Sequence, residues 1–177
     1  MYGTEKIIPG FSRKGDIEKA EQIYLSAFPD HERAPFSHLL ADPTGHIETD
    51  CLRENGKVTG MACRLITENC EHISYLAVEE NARGRGLGTR FLSALLEKAG
   101  SRTVIADLEV PCPGASNFIQ REKRLRFYKN AGFRETEVRY RWRGEDYMIL
   151  AHGGPFGSRE WHAFWRELEK YVPTDEL

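Results

Sequence analysis

The sequence predicts an α/β (α+β) fold of three layers, in which a mixed, mostly antiparallel sheet is flanked by helices. Two observations carry this prediction. Strand-like segments joined by turns fill residues 46–78, which is typical of an antiparallel meander. A glycine-rich stretch, an amphipathic helix and an apolar strand then follow at 83–110, which is the pattern of one strand-helix-strand crossover.

The first half of the chain begins with helical periodicity and then changes to strands. Five apolar residues recur at helical spacing: Ile17, Ala20, Ile23, Tyr24 and Ala27. Asp16 is placed to cap this helix, Pro29 ends it, and a second short helix is predicted from about Pro35 to Leu40. Strands are predicted over 46–53, 58–67 and 71–78, with a hairpin turn at 54–57.

The second half alternates helices and strands. The helix after the glycine-rich stretch buries one apolar face, and an apolar strand is predicted over 103–110. A helix is predicted from about Ser116 to Asn130, with Gly132 just past its end, and a hairpin over 133–150. The last helix, 158–171, places Trp161, Phe164 and Trp165 on one face, which favours either packing on the core or pairing in a homodimer.

Composition excludes several classes of protein. The 177 residues suit one domain, and 25 basic against 27 acidic residues give a net charge of -2, which argues against a strongly basic nucleic-acid binder. The mean hydropathy of -0.54 and the absence of a long apolar run argue against a membrane span. Four scattered cysteines without a C-x-x-C pair indicate reduced thiols, no metal site and a cytoplasmic protein, with Cys112 as the thiol expected to be exposed.

Three glycines join the end of one predicted strand to the start of a helix. Gly84, Gly86 and Gly88 permit positive φ angles and let a ligand approach the backbone closely. The free amides at the helix N-terminus, with the helix dipole behind them, form an anion site. Arg83, Arg85 and Arg90 add positive charge nearby, so the stretch suits a pyrophosphate.

Two familiar phosphate motifs fit this stretch poorly. A Walker loop ends in Gly-Lys-Ser/Thr, whereas this one ends in Gly-Leu-Gly-Thr. The dinucleotide fingerprint G-x-G-x-x-G differs in spacing from the G-x-G-x-G found here, although Asp107 and Glu109 end the next strand about where a ribose-binding acid is expected. A dinucleotide-binding protein is therefore a lesser alternative.

The segment Arg83-Gly-Arg-Gly-Leu-Gly resembles the pyrophosphate loop Q/R-x-x-G-x-G/A of the GNAT N-acetyltransferases, and Phe127-Tyr-Lys-Asn-Ala-Gly-Phe resembles that family's second signature. The resemblance covers about 17–150, so 1–177 is expected to be a single acyl-CoA N-acyltransferase domain with the helix 158–172 outside the family core. It implies transfer of acetyl from acetyl-CoA to a primary amine of a small molecule or peptide, by direct attack in a ternary complex. A non-catalytic acyl-CoA-binding or regulatory module on the same fold is the alternative.

The resemblance also implies residue roles. The backbone of Leu76, Ala77 and Val78 would hold the pantetheine arm like an added strand. The amides of the glycine-rich stretch would bind the pyrophosphate: Arg83, Gly84, Arg85, Gly86, Leu87, Gly88 and Thr89. Tyr128 would protonate the departing thiolate. Many family members carry an asparagine where this chain has Arg121, so Asn117, one turn earlier on the same helical face, is a candidate for cofactor contact.

Attack by an amine requires a proton acceptor, because a free alkylamine is mostly protonated at neutral pH. Candidates are His72, whose imidazole suits the task, Glu71, which points to the opposite face of the same strand, and Glu109. Glu109 is the preferred base or amine anchor because it ends an otherwise apolar strand. Glu32, Arg33 and Tyr147 are expected to bind the acceptor, which would be cationic.

Overall fold

The structure, a computed structural model, describes residues 2–7, 12–40 and 42–172. Within these ranges seven strands occur: β1 (Tyr2–Lys6), β2 (Ile47–Glu54), β3 (Lys57–Ile66), β4 (Cys70–Val78), β5 (Thr103–Glu109), β6 (Arg134–Trp142) and β7 (Glu145–His152). Four α-helices accompany them: α1 (Lys14–Ala27), α2 (Leu87–Ala99), α3 (Phe118–Asn130) and α4 (Ser158–Leu168). Short 3₁₀ turns span Asp30–Glu32, Phe36–Leu39 and Glu80–Ala82.

One sheet contains all seven strands, in the order β1-β2-β3-β4-β5-β7-β6. Among the strands of the described residues, only the β4–β5 pair is parallel, and α2 forms the crossover between these two strands. The other neighbouring strands pair antiparallel. The predicted mixed, mostly antiparallel sheet with one strand-helix-strand crossover is therefore confirmed.

Two apolar cores lie on opposite faces of the sheet. One core joins α1 and α4 to the sheet and contains Tyr24, Met61 and Phe164. The other lies beneath α2 and includes Phe91, with Tyr128 of α3 packed into it. Alternation along β3 explains the division, because neighbouring residues of a strand point to opposite faces, as Met61 and Ala62 do. The molecule thus has three layers.

Four local expectations differ from the structure. Strand β1 was not predicted, since its residues are exposed apart from the half-buried Lys6 and give no apolar alternation. The predicted helix at 35–40 is a single 3₁₀ turn that buries Phe36 and Leu39. Asp16 does not cap α1; its carboxylate lies in the first turn and pairs with Arg53 at 2.7 Å. Helix α4 ends at Leu168 rather than Tyr171.

The adjacent strands β4 and β5 separate halfway along their length. The pairing of β3 with β4 shifts by one residue between Cys63 and Arg64, which leaves Ser74 as the extra residue of a bulge. Pairing of β4 with β5 ends at Ile73 opposite Ala106, whereas each strand continues along its other neighbour. A wedge therefore opens between the two strands, at the end where α2 begins.

Candidate active site

A cavity of about 570 Å³ occupies this wedge. Its lining combines residues from both faces of the sheet. Those on or near the α2–α3 face include Leu76, Val78, Arg83, Gln120, Arg124 and Tyr128. Those on the α1–α4 face include Phe28, Glu32, His72, Tyr75, Asp107, Tyr140, Tyr147, Trp161 and Trp165. The cavity thus connects the two sides of the sheet where β4 and β5 part.

The glycine turn leads into α2 beside this cavity. Gly84 and Gly86 have φ angles of +76° and +74°, and a Cβ added at either position would meet no atom within 4 Å. Glycine is therefore required there for the backbone conformation rather than for packing. Gly86 occupies the N-cap position, so the amides of Leu87, Gly88 and Thr89 begin the helix without intrahelical acceptors. The turn can present several main-chain N–H groups to an anion.

The three arginines near the turn each have a partner within the protein. Arg83 donates from Nε to the carbonyl oxygen of Val78 at 3.0 Å and also lines the cavity. Arg85 pairs with Glu54, and the guanidinium of Arg90 lies 4.6 Å from the ring centre of Tyr2. Arg83 is thus the one of these arginines that the structure places on the cavity wall.

Tyr128 lies on the last part of α3 and is 5% exposed. Its ring contacts those of Phe127 and Phe133 edge-on, with centroid distances of 5.2 and 5.1 Å. Burial raises the pKa of the phenol above its ordinary value, so the hydroxyl stays protonated through neutral pH. Phe127 also packs against the glycine turn, since a Cβ on Gly88 would lie 3.5 Å from its ring. The second signature therefore fixes Tyr128 relative to the glycine turn.

On the other face, His72 belongs to a chain of hydrogen bonds. Its Nε2 lies 2.7 Å from Oδ1 of Asp107, and its Nδ1 lies 3.3 Å from Oγ of Ser74. Tyr140 donates its hydroxyl hydrogen to Oδ2 of Asp107 at 2.5 Å. Burial alone would raise the pKa of Asp107, but the partnership with His72 and Tyr140 holds it below its ordinary value. Asp107 is thus a carboxylate, and His72 is buried rather than on the surface.

Glu109 lies in a second network, at the end of β5. It is 5% exposed, and its Oε1 is 2.8 Å from Nη2 of Arg121. The Asn117 amide lies 3.3 Å from Oε2 of Glu109 and accepts a 2.7 Å hydrogen bond from Nε of Arg121. Arg121 also bonds the carbonyl of Val110 and the carboxylate of Glu145. Glu109 is therefore a buried, ion-paired group, and the side chain of Asn117 is committed to this network.

Sequence reasoning missed Arg121 as a site residue. Arg121 lies four residues after Asn117 and seven before Tyr128, so it shares their helical face. A buried arginine requires an acidic partner, and Glu109 stands at the end of the predicted strand that precedes this helix. An arginine on the helical face of Asn117 and Tyr128, together with this acid, was therefore the sequence signal that could have identified the ion pair.

The remaining candidates divide between the cavity and other parts of the protein. Glu32 and Tyr147 line the cavity. Arg33 pairs with Asp30 and donates a 3.0 Å hydrogen bond to the carbonyl of Leu25, so its guanidinium is bonded to the last turn of α1. Glu71 is buried against Arg64 at 2.5 Å on the opposite face from His72, which removes it from the cavity.

Three general features accompany the site. Within the described ranges, no three His, Cys, Asp or Glu side chains are grouped so as to hold a metal ion. Among the helices of 2–7, 12–40 and 42–172, none is long and apolar enough to cross a bilayer. Cys51, Cys63 and Cys70 are buried and Cys112 is exposed, as expected.

Comparison with known proteins gives a consistent result. The model of the acetyltransferase (GNAT) family matches residues 17–133. A GNAT-family protein from Bacteroides thetaiotaomicron superposes with a TM-score of 0.73 at 19% identity, over 96% of this chain and 97% of that one. The ribosomal-protein-S18-alanine N-acetyltransferase of Escherichia coli gives 0.64 at 20% identity, over 88% and 97%. NAA60 of Arabidopsis thaliana, in complex with acetyl-CoA, gives 0.62 at 18% identity, over 86% and 98%.

No curated protein sequence matches the chain. The family model nevertheless covers well over half of the 177 residues and includes both the glycine turn and Tyr128. The fold, with its single parallel strand pair, is that of the structural neighbours. The chain belongs to the GNAT family of acetyltransferases.

Proposed function

We propose that this protein transfers the acetyl group of acetyl-CoA to a primary amine by direct attack within a ternary complex. One observation carries the proposal. A single cavity joins the α2–α3 side, where Tyr128 lies, to an acid-lined cleft on the other side of the sheet. Two substrates could therefore enter from opposite faces and meet between β4 and β5. Two structural neighbours support the proposal: the E. coli protein is an alanine N-acetyltransferase, and the Arabidopsis protein was crystallised with acetyl-CoA.

The residues present fit acetyl-CoA. The positive φ angles of Gly84 and Gly86 expose the main-chain amides that start α2, and these amides would hold the pyrophosphate. Beyond Ile73, the edge of β4 that faces β5 makes no ladder pairing with it. Apart from the carbonyl of Val78, which accepts a hydrogen bond from Arg83, the backbone from Leu76 to Val78 is thus open on this edge to hydrogen bonds from the pantetheine arm.

Tyr128 is placed to act as the acid. As the amine nitrogen bonds to the acetyl carbon, the carbon–sulfur bond breaks and the departing thiolate needs a proton. Burial raises the pKa of Tyr128, which keeps the phenol protonated but makes it a weaker acid, so it first donates a hydrogen bond to the departing sulfur. Because the tyrosine lines the cavity beside Leu76 and Val78, its hydroxyl can lie near the sulfur.

We assign the proton acceptor to His72, acting through Ser74. Asp107 is a carboxylate and accepts the Nε2 hydrogen of His72, which leaves the Nδ1 lone pair directed at the Ser74 hydroxyl. The amine proton would pass to Oγ of Ser74 while the hydroxyl proton passes to His72. Glu109, preferred from the sequence, is already neutralised by Arg121, so we assign it to positioning α3 against β5.

Release of the CoA thiol, with and without amines, tests the proposed function. Acetyl-CoA should raise the Tm, and a primary amine should accelerate thiol release. Stabilisation by NAD but not by acetyl-CoA would contradict the proposal, and binding without amine-dependent release would indicate a non-catalytic module instead.

Single variants separate the two candidate bases. His72→Gln should lower kcat by about 100-fold at saturating acetyl-CoA and amine. Glu109→Gln, the matched control, should leave kcat close to that of the parent protein. The reverse result would assign the base to Glu109.

A further inference from the structure

The acceptor side of the cavity has an apolar floor. Leu39, Cys63 and Leu65 line it and are 1%, 0% and 2% exposed. Phe28 and Trp165 add apolar walls. None of these side chains carries a charge, so the deep part of this cleft favours an uncharged, apolar group.

A stack of aromatic rings forms one wall. The rings of Tyr147 and Tyr140 are 5.3 Å apart and nearly parallel, at 13°. Trp161 of α4 continues the stack against Tyr140 at 5.6 Å and 23°. Flat faces of this kind pack well against a planar or branched apolar group and attract a cation above them.

Two carboxylates line the cleft, and that of Asp107 is already hydrogen-bonded to His72 and Tyr140. Glu32 and Asp107 are its acidic lining residues among those described. Burial, together with the charge of Glu109, raises the pKa of Glu32, and the positive charges of Arg124, His31 and Arg121 only partly offset this rise. An ammonium group beside Glu32 would relieve this cost. The carboxylate of Glu32 thus favours a cationic group and the apolar floor favours an uncharged one, so the cleft suits a molecule with one charged end and one apolar end.

We infer that the acceptor is a primary amine attached to a compact aromatic or branched aliphatic group, with its ammonium near Glu32 and its apolar group against the floor of the cleft. The inference rests on the proposed function and names its substrate class. A polyamine or an aminoglycoside would carry a second cation toward Leu39 and Leu65, where the lining acid, Asp107, is already hydrogen-bonded to His72 and Tyr140. An amino acid would add a carboxylate to a cleft that already holds those of Glu32 and Asp107, and the lining cation near Glu32, Arg124, already pairs with Glu109 at 3.7 Å.

The hairpin tip supports a small acceptor over a long one. Arg143 donates to the carbonyl of His31, and its guanidinium lies 4.2 Å from the ring centre of Trp142. This bond ties the β6–β7 turn to the 3₁₀ turn that carries Glu32. A peptide chain leaving the cleft between these two turns would have to break it.

Matched amines test the inference. Thiol release is measured with phenethylamine and tyramine, with phenylalanine and tyrosine as partners that differ by the carboxylate, and with spermidine, kanamycin and an alanine-terminated hexapeptide. We expect kcat/KM for phenethylamine or tyramine to exceed that for every other acceptor by about 100-fold. Equal or greater kcat/KM for any amino acid, polyamine, aminoglycoside or peptide would overturn the inference while leaving the proposed function intact.

Binding gives a second readout that does not depend on turnover. The three tryptophans of the chain, Trp142, Trp161 and Trp165, all line the cavity. With CoA bound, phenethylamine should quench their fluorescence saturably, and Glu32→Gln should raise its Kd at least fivefold. Saturable quenching by spermidine but not by phenethylamine, or no change of Kd in the variant, would overturn the inference. Failure of acetyl-CoA itself to bind would overturn the proposed function instead.

Discussion

The buried pair of Glu109 and Arg121 makes a quantitative prediction about stability. In Arg121→Met the Glu109 carboxylate, 6% exposed, keeps only Asn117 at 3.3 Å and Arg124 at 3.7 Å. Removing one partner of a buried ion pair lowers the free energy of unfolding by about 3–5 kcal/mol. Because Glu109 keeps these two contacts, we expect Arg121→Met to lose about 3 kcal/mol, the lower end of that range. In Glu109→Gln, Arg121 still bonds Asn117, Val110 and Glu145, so we expect a loss of about 1–2 kcal/mol.

The double variant isolates the interaction. With both charges removed, no ion is left unpaired, so the double loss should fall below the sum of the single losses by about 1–3 kcal/mol. Urea unfolding followed by far-ultraviolet circular dichroism gives the four free energies of the cycle. Strict additivity, or a loss below about 1 kcal/mol in Arg121→Met, would refute the assignment of Glu109 to a structural ion pair.

Three further predictions concern single groups. Tyr128→Phe should lower kcat by about 100-fold with little change in the Kd of acetyl-CoA; a large loss of affinity would mean that the ring only packs. Because the folded-state pKa of Glu32 is raised, its ionisation destabilises the fold at neutral pH, so Glu32→Gln should raise the Tm at pH 7 and lose this advantage near pH 3, below the unfolded pKa. An equal gain at both pH values would contradict this. Cys112 should react alone with a thiol reagent in the native state, and four thiols should react after unfolding; rapid native reaction of more than one would show that the other three are accessible.

Sequence patterns predicted the elements whose signal is local. The glycines before α2 and the apolar spacing of α1 and α2 are of this kind, since both follow from backbone conformation and helical period. Strand β1 was not predicted from the sequence because its stability comes from pairing with β2, and an exposed edge strand has no apolar alternation. Register is equally non-local: nothing near Ser74 in the sequence shows that β4 bulges there.

Side-chain partnerships were the least predictable part of the site. His72 was recognised as a candidate, but its bond to Asp107 depends on the parallel pairing of β4 with β5. Glu109 and Asn117 were assigned separate roles, whereas Arg121 joins them in one network. Such pairs form between residues distant in sequence, so composition and spacing alone do not predict them.

Helix α4 shows how a segment beyond the family match contributes to the site. It lies outside residues 17–133, yet Phe164 is 2% exposed and packs on the core. The rings of Trp161, Phe164 and Trp165 surround His72 edge-on at 6.0–6.3 Å. Of the two possibilities raised for this face, the structure shows packing on the core, and the homodimer stays a prediction.

The most direct measurement is the stoichiometry of acetyl transfer. Phenethylamine and each other amine of the panel are incubated in turn with acetyl-CoA and the protein, free thiol is titrated, and the amine is analysed by mass spectrometry. Thiol and N-acetylated amine should appear in equal amounts, and Tyr128→Phe should slow both alike. Thiol without acetylated amine, for every amine tested, would contradict transfer through the β4–β5 wedge.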